Sequence, residues 1–185
     1  RLRFLLGLVT AQAHAAVASR VPGLRYLVPA ATPHVTMTDS GPTTSAEDQA
    51  RAAALQAGGA SVAPSSAASV SDLERWPTVD IANGLYKYVL INIMTPDGSI
   101  AKTLVRSGRG NYHVDVATPH VESLKAAGWA TSIPGGGRIN RDDESKTVSI
   151  YGYSYGFGKA DHRIAAQLCE QALPHHAVTW SDEGY

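Results

Sequence analysis

The sequence predicts an α/β fold in which two helices pack around a single β-sheet. Residues 85–94 ("LYKYVLINIM") form a continuous run of β-branched, aromatic and aliphatic residues, which is typical of a central strand. The turn sequence "TPDG" follows at residues 95–98 and predicts a hairpin. Near the C-terminus, small and apolar residues recur at helical spacing over residues 159–173, which predicts a helix with one buried face.

The elements follow in order along the chain. Residues 99–106 ("SIAKTLVR") form the second hairpin strand, and "TP" at residues 118–119 is an N-cap and first-turn proline for a helix that Gly128 closes. The segments "WATSI" and "GRIN" flank three glycines at residues 135–137, and "KTVSIYGY" is a further strand. Pro174 ends the final helix, and "HAVTW" forms the last strand. The expected order is β-β-α-β-β-α-β, with a short extra strand near Val79.

The region before this domain differs in composition. Residues 1–38 contain four arginines and no acidic residue, which is typical of an organelle transit segment, an extra helix or a translated upstream segment. Residues 39–77 are small and polar, with one short helical patch at residues 46–57. Such a segment buries too little apolar surface to offset its ordering entropy, so it is expected to be a disordered linker. The folded domain is then expected to span residues 78–185.

The overall composition excludes several functional classes. The 185 residues carry a formal net charge of zero, which argues against a nucleic-acid partner. Cys169 is the single cysteine, so an internal disulfide and a cysteine zinc site are both excluded. No apolar run reaches the roughly 20 residues that span a bilayer, so no membrane partner is expected. A cytoplasmic monomer is the expectation, with organelle import through residues 1–38 as the alternative.

The stretch "YGYSYGFGKADH" at residues 151–162 resembles a phosphate-binding loop. A Walker loop has four residues between its first glycine and the Gly-Lys pair and then Ser or Thr, but here five residues intervene and Ala160 follows Lys159. The dinucleotide pattern G-x-G-x-x-G also fails. A tight turn after a strand is therefore an equal interpretation until other residues converge on the loop.

Four features together predict an oxyanion pocket. His113 lies in a loop after a strand, Arg138 follows the three glycines, the Ser154 turn follows a strand, and Lys87 opens the central strand. One sheet can bring these groups to a common edge, where cations, backbone N–H groups and an imidazole suit a phosphoryl group. His113 taken alone is more often structural. The set His113, Asp115 and His120 has no known metal-ligand spacing, so no metal or other cofactor is expected.

Five separated motifs resemble the Janus/Ocnus family over residues 79–185: "VDIANGLYKYVLINI", "NYHVDVATPHVESLKAAGW", "PGGGRIN", "VSIYGYSYGFGKADH" and "AVTWSDEGY". The resemblance implies a six-stranded mixed sheet with a helix on either side. It also implies metal-independent removal of phosphate from histidine, and from lysine, in proteins. Phosphohistidine-containing proteins are then the expected partners.

The resemblance also assigns roles to individual residues. By motif match, His113 is the catalytic residue, with the backbone of Tyr112 and Val114 beside it. The matching substrate-binding positions are Lys87, Arg138, Ser154, Tyr155, Gly156 and, as a looser match, Arg106. Tyr155-Gly156 departs from the Met-Ala pair of a mammalian member, which affects pocket shape and substrate preference.

The chemistry suits these residues because the imidazole of a phosphohistidine is a good leaving group. Positioning and charge stabilisation then supply most of the catalysis. Neutral His113 is expected to act as general base on water, and direct attack on phosphorus is the other role open to it. His162 is expected to have a support or core role. The alternative function is a non-catalytic Janus-type module that binds phosphorylated or acidic partners.

Overall fold

A computed structural model describes residues 45–60, 70–95 and 98–184. The compact unit that contains them runs from Ser40 to Tyr185. The expected basic extension at residues 1–38 lies outside the described residues. Within the described part of the chain, no helix has both the length and the apolar character to cross a bilayer.

A single six-stranded sheet forms the centre of the fold. Its strands are β1 (Val79–Asp80), β2 (Gly84–Met94), β3 (Ile100–Gly108), β4 (Ala130–Asp142), β5 (Thr147–Tyr151) and β6 (Ala177–Trp180). They lie in the order β1-β3-β2-β4-β5-β6. The edge pairs β1–β3 and β5–β6 are parallel and the other pairs are antiparallel, so the sheet is mixed. The predicted α/β fold and its six strands, including the short strand at Val79, are confirmed.

Three helices pack on this sheet: α1 (Ala46–Ala60), α2 (His113–Ala126) and α3 (His162–Ala172). Side chains of β2 alternate between its two faces. Val89, Ile91 and Ile93 belong to the core that includes α2, whereas Tyr88 and Leu90 belong to the core that includes α3. Because both faces of β2 are buried, its sequence is a continuous apolar run.

Helix α2 begins at His113, five residues before the predicted cap at Thr118. Tyr112 has the extended conformation of an N-cap, and its backbone N–H donates to the carboxylate of Asp115 at 2.9 Å. Thr118 lies inside the helix and donates its hydroxyl to the carbonyl of Val114. Pro119 is also internal. The early start matters because it places His113 at the first position of the helix.

Helix α1 corrects the expectation that residues 39–77 form a disordered linker throughout. Ser45 caps this helix through its hydroxyl, which accepts from the backbone N–H of Asp48. Ala52 is buried in the core shared with α2. The side-chain amide of Gln56 donates to the carbonyl of Ile133 at 3.2 Å. These residues are therefore an ordered helix that packs on the domain.

Candidate active site

His113 lies buried at the first position of α2, with its ring directed at strand β4. Its Nε2 is 2.9 Å from the carbonyl oxygen of Gly137. A carbonyl only accepts hydrogen bonds, so Nε2 carries the proton and donates. In the neutral ring, Nδ1 then holds the free lone pair. The imidazole is thus held in one tautomer by the backbone of β4.

The Nδ1 atom of His113 has no hydrogen bond to any described residue. His113 keeps 7% of its surface exposed and lines a small depression of about 10 Å³. The ring therefore borders a space that a water molecule can enter. A lone pair that is both fixed in direction and reachable by water can accept a proton.

Three consecutive glycines make room for this ring. They lie inside β4, which joins the flanking segments "WATSI" and "GRIN" into one strand. A Cβ at Gly136 would lie 3.0 Å from Cδ2 of His113 and 2.5 Å from the carbonyl oxygen of Tyr88. On the opposite face, a Cβ at Gly137 would lie 2.9 Å from Cε1 of His162. The glycines therefore allow two imidazoles to pack against the two faces of one strand.

Burial lowers the pKa of His113 to about 4. The hydrogen bond to Gly137 opposes this shift, whereas the positive charges of Lys87 and Arg138 add to it. Both effects of environment, desolvation and nearby cations, disfavour the imidazolium. His113 is therefore neutral at physiological pH.

Lys87 and Arg138 are direct cross-strand partners on β2 and β4. Lys87 has the same parity along β2 as Val89, so both cations lie on the sheet face that carries α2. Burial lowers the pKa of Lys87, Arg138 lowers it further, and Asp115 raises it. The sheet thus places two cations close enough to His113 to perturb its titration.

The Ser154 turn lies next to the start of α2. Ser154 and Gly158 exchange backbone hydrogen bonds of 3.2 and 2.8 Å, and the Ser154 hydroxyl accepts from the N–H of Phe157 at 3.1 Å. Ser154 is buried, and Tyr155 is exposed beside Tyr153, with ring centroids 5.0 Å apart. A small depression joins the turn to the helix start, lined by Tyr112, His113, Val114, Ser154, Gly156, Phe157, Asp48 and Ala52. Helix starts and tight turns of this kind present N–H groups to anions.

Arg106 does not join this group. Its buried guanidinium donates to the carbonyls of Pro77, Thr78 and Val105, at 2.7, 3.4 and 2.9 Å. These contacts tie β3 to the segment that leads into β1. The looser sequence match of Arg106 to a substrate-binding position stays a prediction; in the structure its side chain is held by backbone carbonyls at the sheet edge.

A second imidazole, His162, lies buried on the other face of β4. Its Nε2 donates to the carbonyl of Gly152 at 2.8 Å, so its Nδ1 accepts from the hydroxyl of Tyr88 at 2.5 Å. Both nitrogens are satisfied. This geometry gives His162 a structural role. Sequence reasoning missed the Tyr88 partner because the two residues are far apart in the chain; the signal was a tyrosine in an otherwise apolar central strand.

Among the described residues, no group of three or more histidine, cysteine or acidic side chains is arranged to hold a metal ion.

The fold and the site define a class of protein: a single-sheet α/β domain with a buried neutral imidazole beside two cations and a tight glycine-containing turn. The profile of the Janus/Ocnus family (Ocnus) matches residues 73–177. The chain belongs to the Janus/Ocnus family, which confirms the resemblance seen in the sequence.

Individual relatives carry two kinds of name. The 14 kDa phosphohistidine phosphatase of Sus scrofa is 36% identical over 125 residues, which cover 64% of this chain and 99% of the relative. The Homo sapiens protein of the same name is 34% identical over 124 residues, covering 63% and 99%. The sex-regulated protein janus-A of Drosophila yakuba is 40% identical over 111 residues, covering 59% and 82%.

Proposed function

We propose that this chain is a protein phosphatase that hydrolyses phosphohistidine, and also phospholysine, without a metal ion. Two relatives at 34–36% identity carry the name phosphohistidine phosphatase. The observation that carries the proposal is the state of His113: a neutral imidazole with Nε2 bonded to Gly137, whose ring lines a depression of about the size of a water molecule. Such a group suits proton transfer during attack on an oxyanion.

In the proposed reaction, His113 acts as general base. Its Nδ1 takes a proton from a water molecule, and the oxygen of that water bonds to phosphorus. The P–N bond breaks, and the leaving imidazole of the substrate keeps the electron pair and takes up a proton from solvent. The protonated His113 returns its proton to solvent, which restores the neutral ring. Because a nitrogen base leaves more easily than a serine alkoxide, little general acid catalysis is needed.

The remaining groups stabilise charge in this proposal. Lys87 and Arg138 offset the negative charge on the phosphoryl oxygens. Tyr112 and Ser154 already donate their backbone N–H groups, to Asp115 and Gly158. The backbone N–H groups of His113, Val114 and Gly156 orient those oxygens in this proposal, since all three residues line one depression. Arg106 is left out of the proposed site because of its contacts with backbone carbonyls.

The test follows phosphate release from a phosphohistidine peptide by ³¹P NMR, with a chelator present throughout. Wild type is expected to release phosphate, and His113→Ala is expected to lose at least about a hundredfold in rate, the usual contribution of a general base. His175→Ala is the matched control, because His175 is exposed and outside the site. An inactive wild type, or a His113→Ala variant at full rate, contradicts the proposal.

Two alternatives give different results in the same assay. Stoichiometric binding of the phosphopeptide without turnover favours the Janus-type binding module, an alternative kept open by relatives named janus-A. A phosphoryl-enzyme on His113, trapped by alkaline quench during turnover, would make this residue the nucleophile and not the base.

A further inference from the structure

Helix α1 lies over the candidate active site, although it precedes the residues that the family profile matches, 73–177. Two of its side chains, Asp48 and Ala52, line the same depression as His113 and Ser154. Both are buried, with 7% and 2% of their surface exposed. A segment outside the shared family region therefore forms part of the wall of the site.

Several contacts hold α1 in this place. The guanidinium of Arg51 lies 3.2 Å from the carboxylate of Asp115 on α2. Further along α1, the side-chain amide of Gln56 donates a hydrogen bond to a backbone carbonyl of β4. Between these two contacts, Ala52 packs against the Ser154 turn. A Cβ added at Gly156 in that turn would lie 2.8 Å from Cβ of Ala52. The absence of a side chain at position 156 is what lets the helix approach the turn so closely.

The docked helix leaves too little room for a phosphoryl group. The depression has an accessible volume of about 10 Å³, which is roughly enough for a single water molecule. A phosphoryl group attached to a side chain of another protein is several times larger. The groups that are proposed to orient it, at the start of α2 and at Gly156, face α1 across this narrow space.

Helix α1 also places a carboxylate beside the site, that of Asp48, whose charge is offset in part by the ion pair with Arg51. Asp48 accepts hydrogen bonds from the hydroxyl of Ser45 at 2.6 Å and from Arg51 at 3.3 Å. Its carboxylate lies in the wall of a depression whose other groups suit an oxyanion. A like charge held beside the site disfavours phosphate binding, and a carboxylate is itself an anion of similar geometry.

We propose that α1 is an autoinhibitory cover: docked through Ala52 and Arg51, it closes the phosphoryl site, and an anionic substrate binds only when α1 swings away. This proposal rests on the oxyanion site of the proposed function. The apparent affinity for any oxyanion is then the intrinsic affinity reduced by the fraction of molecules with α1 displaced. Phosphate binding and α1 docking are mutually exclusive.

The test uses the full chain, with Ala52→Gln as the opening variant and Ala53→Gln as its matched control. The substitution is the same at both positions, but Ala52 is buried against the site and Ala53 is exposed. The probe is inorganic phosphate, with binding followed by ³¹P NMR and α1 docking followed by amide hydrogen exchange. Phosphohistidine peptide hydrolysis is measured in parallel.

Ala52→Gln is expected to speed exchange in α1 and to tighten phosphate binding about tenfold, because the open fraction rises. Ala53→Gln should behave as wild type. In wild type, added phosphate should itself speed exchange in α1. If the variant folds poorly, Ala52→Trp with the control Ala53→Trp replaces it.

Two results would overturn the proposal that α1 covers the site. One is faster exchange in α1 with phosphate affinity and hydrolysis unchanged or weaker. The other is exchange in α1 that neither phosphate nor either Ala52 variant alters. Failure of the proposed function gives a different pattern: phosphate binding tightens in Ala52→Gln, yet neither wild type nor the variant hydrolyses the phosphopeptide. That pattern would mean that α1 covers a phosphate-binding site that does not catalyse hydrolysis.

Discussion

The pH dependence of turnover tests the environment of His113. Burial lowers the pKa of this imidazole to about 4, from an unperturbed value near 6.5. At pH 5, a group with pKa 4 is roughly 90% neutral, whereas one with pKa 6.5 is about 3% neutral. If neutral His113 is the base, the buried site therefore keeps about thirty times more active enzyme at pH 5 than a solvent-exposed imidazole would.

The assay is kcat/KM for a phosphohistidine peptide between pH 4.5 and 8, corrected for spontaneous hydrolysis of the peptide at each pH. The expected profile is flat on the acid side down to about pH 5 and falls only toward pH 4. His175→Ala, with an exposed imidazole removed, should give the same curve. An acid limb centred near 6.5 would refute the reasoning, since it would mean that the catalytic imidazole is solvated.

The lowered pKa of His113 also makes the folded state less stable at low pH, and this loss has to be distinguished from a loss of catalysis. The pKa of His113 is lowered in the folded state, so between about pH 4 and 6.5 the unfolded chain binds more protons. The stability due to neutral His113 is therefore full above pH 6.5 and is lost as the pH falls toward 4, to a total of about 3 kcal/mol. Circular dichroism at each pH shows whether a fall in rate is a loss of fold.

Three substitutions test the surroundings of the site, each by urea unfolding together with peptide hydrolysis. Gly136→Ala should cost about 1–3 kcal/mol and slow hydrolysis, because the added Cβ meets backbone and the ring of His113; unchanged values would show that the strand yields easily. Tyr88→Phe should cost about 1–3 kcal/mol by leaving Nδ1 of His162 unpaired, with the rate kept; a lost rate would give His162 a part in catalysis. Arg106→Met should also destabilise, with KM unchanged, and a raised KM would return Arg106 to the site.

The sheet was predictable because its signals are local. The apolar run of β2, the hairpin turn after it and the helical spacing near the C-terminus each depend on neighbouring residues, and the structure confirms the fold that they predict. The start of α2 was not predictable in this way. Thr118-Pro119 has the residue types of a cap, but the cap is formed by Tyr112 and Asp115, and the helix runs on through the proline.

Long-range contacts account for the other differences. Helix α1 docks through only two apolar side chains, Ala52 and the partly buried Leu55, together with polar side chains, so its composition resembles that of a linker. Its partner, Gly156, lies about a hundred residues away in the sequence. Arg106 matches a site motif in type, but its partners are backbone carbonyls, which leave no trace in a residue pattern.

The most direct test of the central claim is the protonation state of His113 itself. Ring ¹⁵N chemical shifts of the labelled protein, assigned with His113→Ala, separate a protonated nitrogen from one that carries a lone pair. Nε2 is expected to be protonated and Nδ1 unprotonated from pH 8 down to about 5, with titration of the ring near pH 4. A proton on Nδ1 at neutral pH, or a charged ring at pH 6, would contradict this expectation.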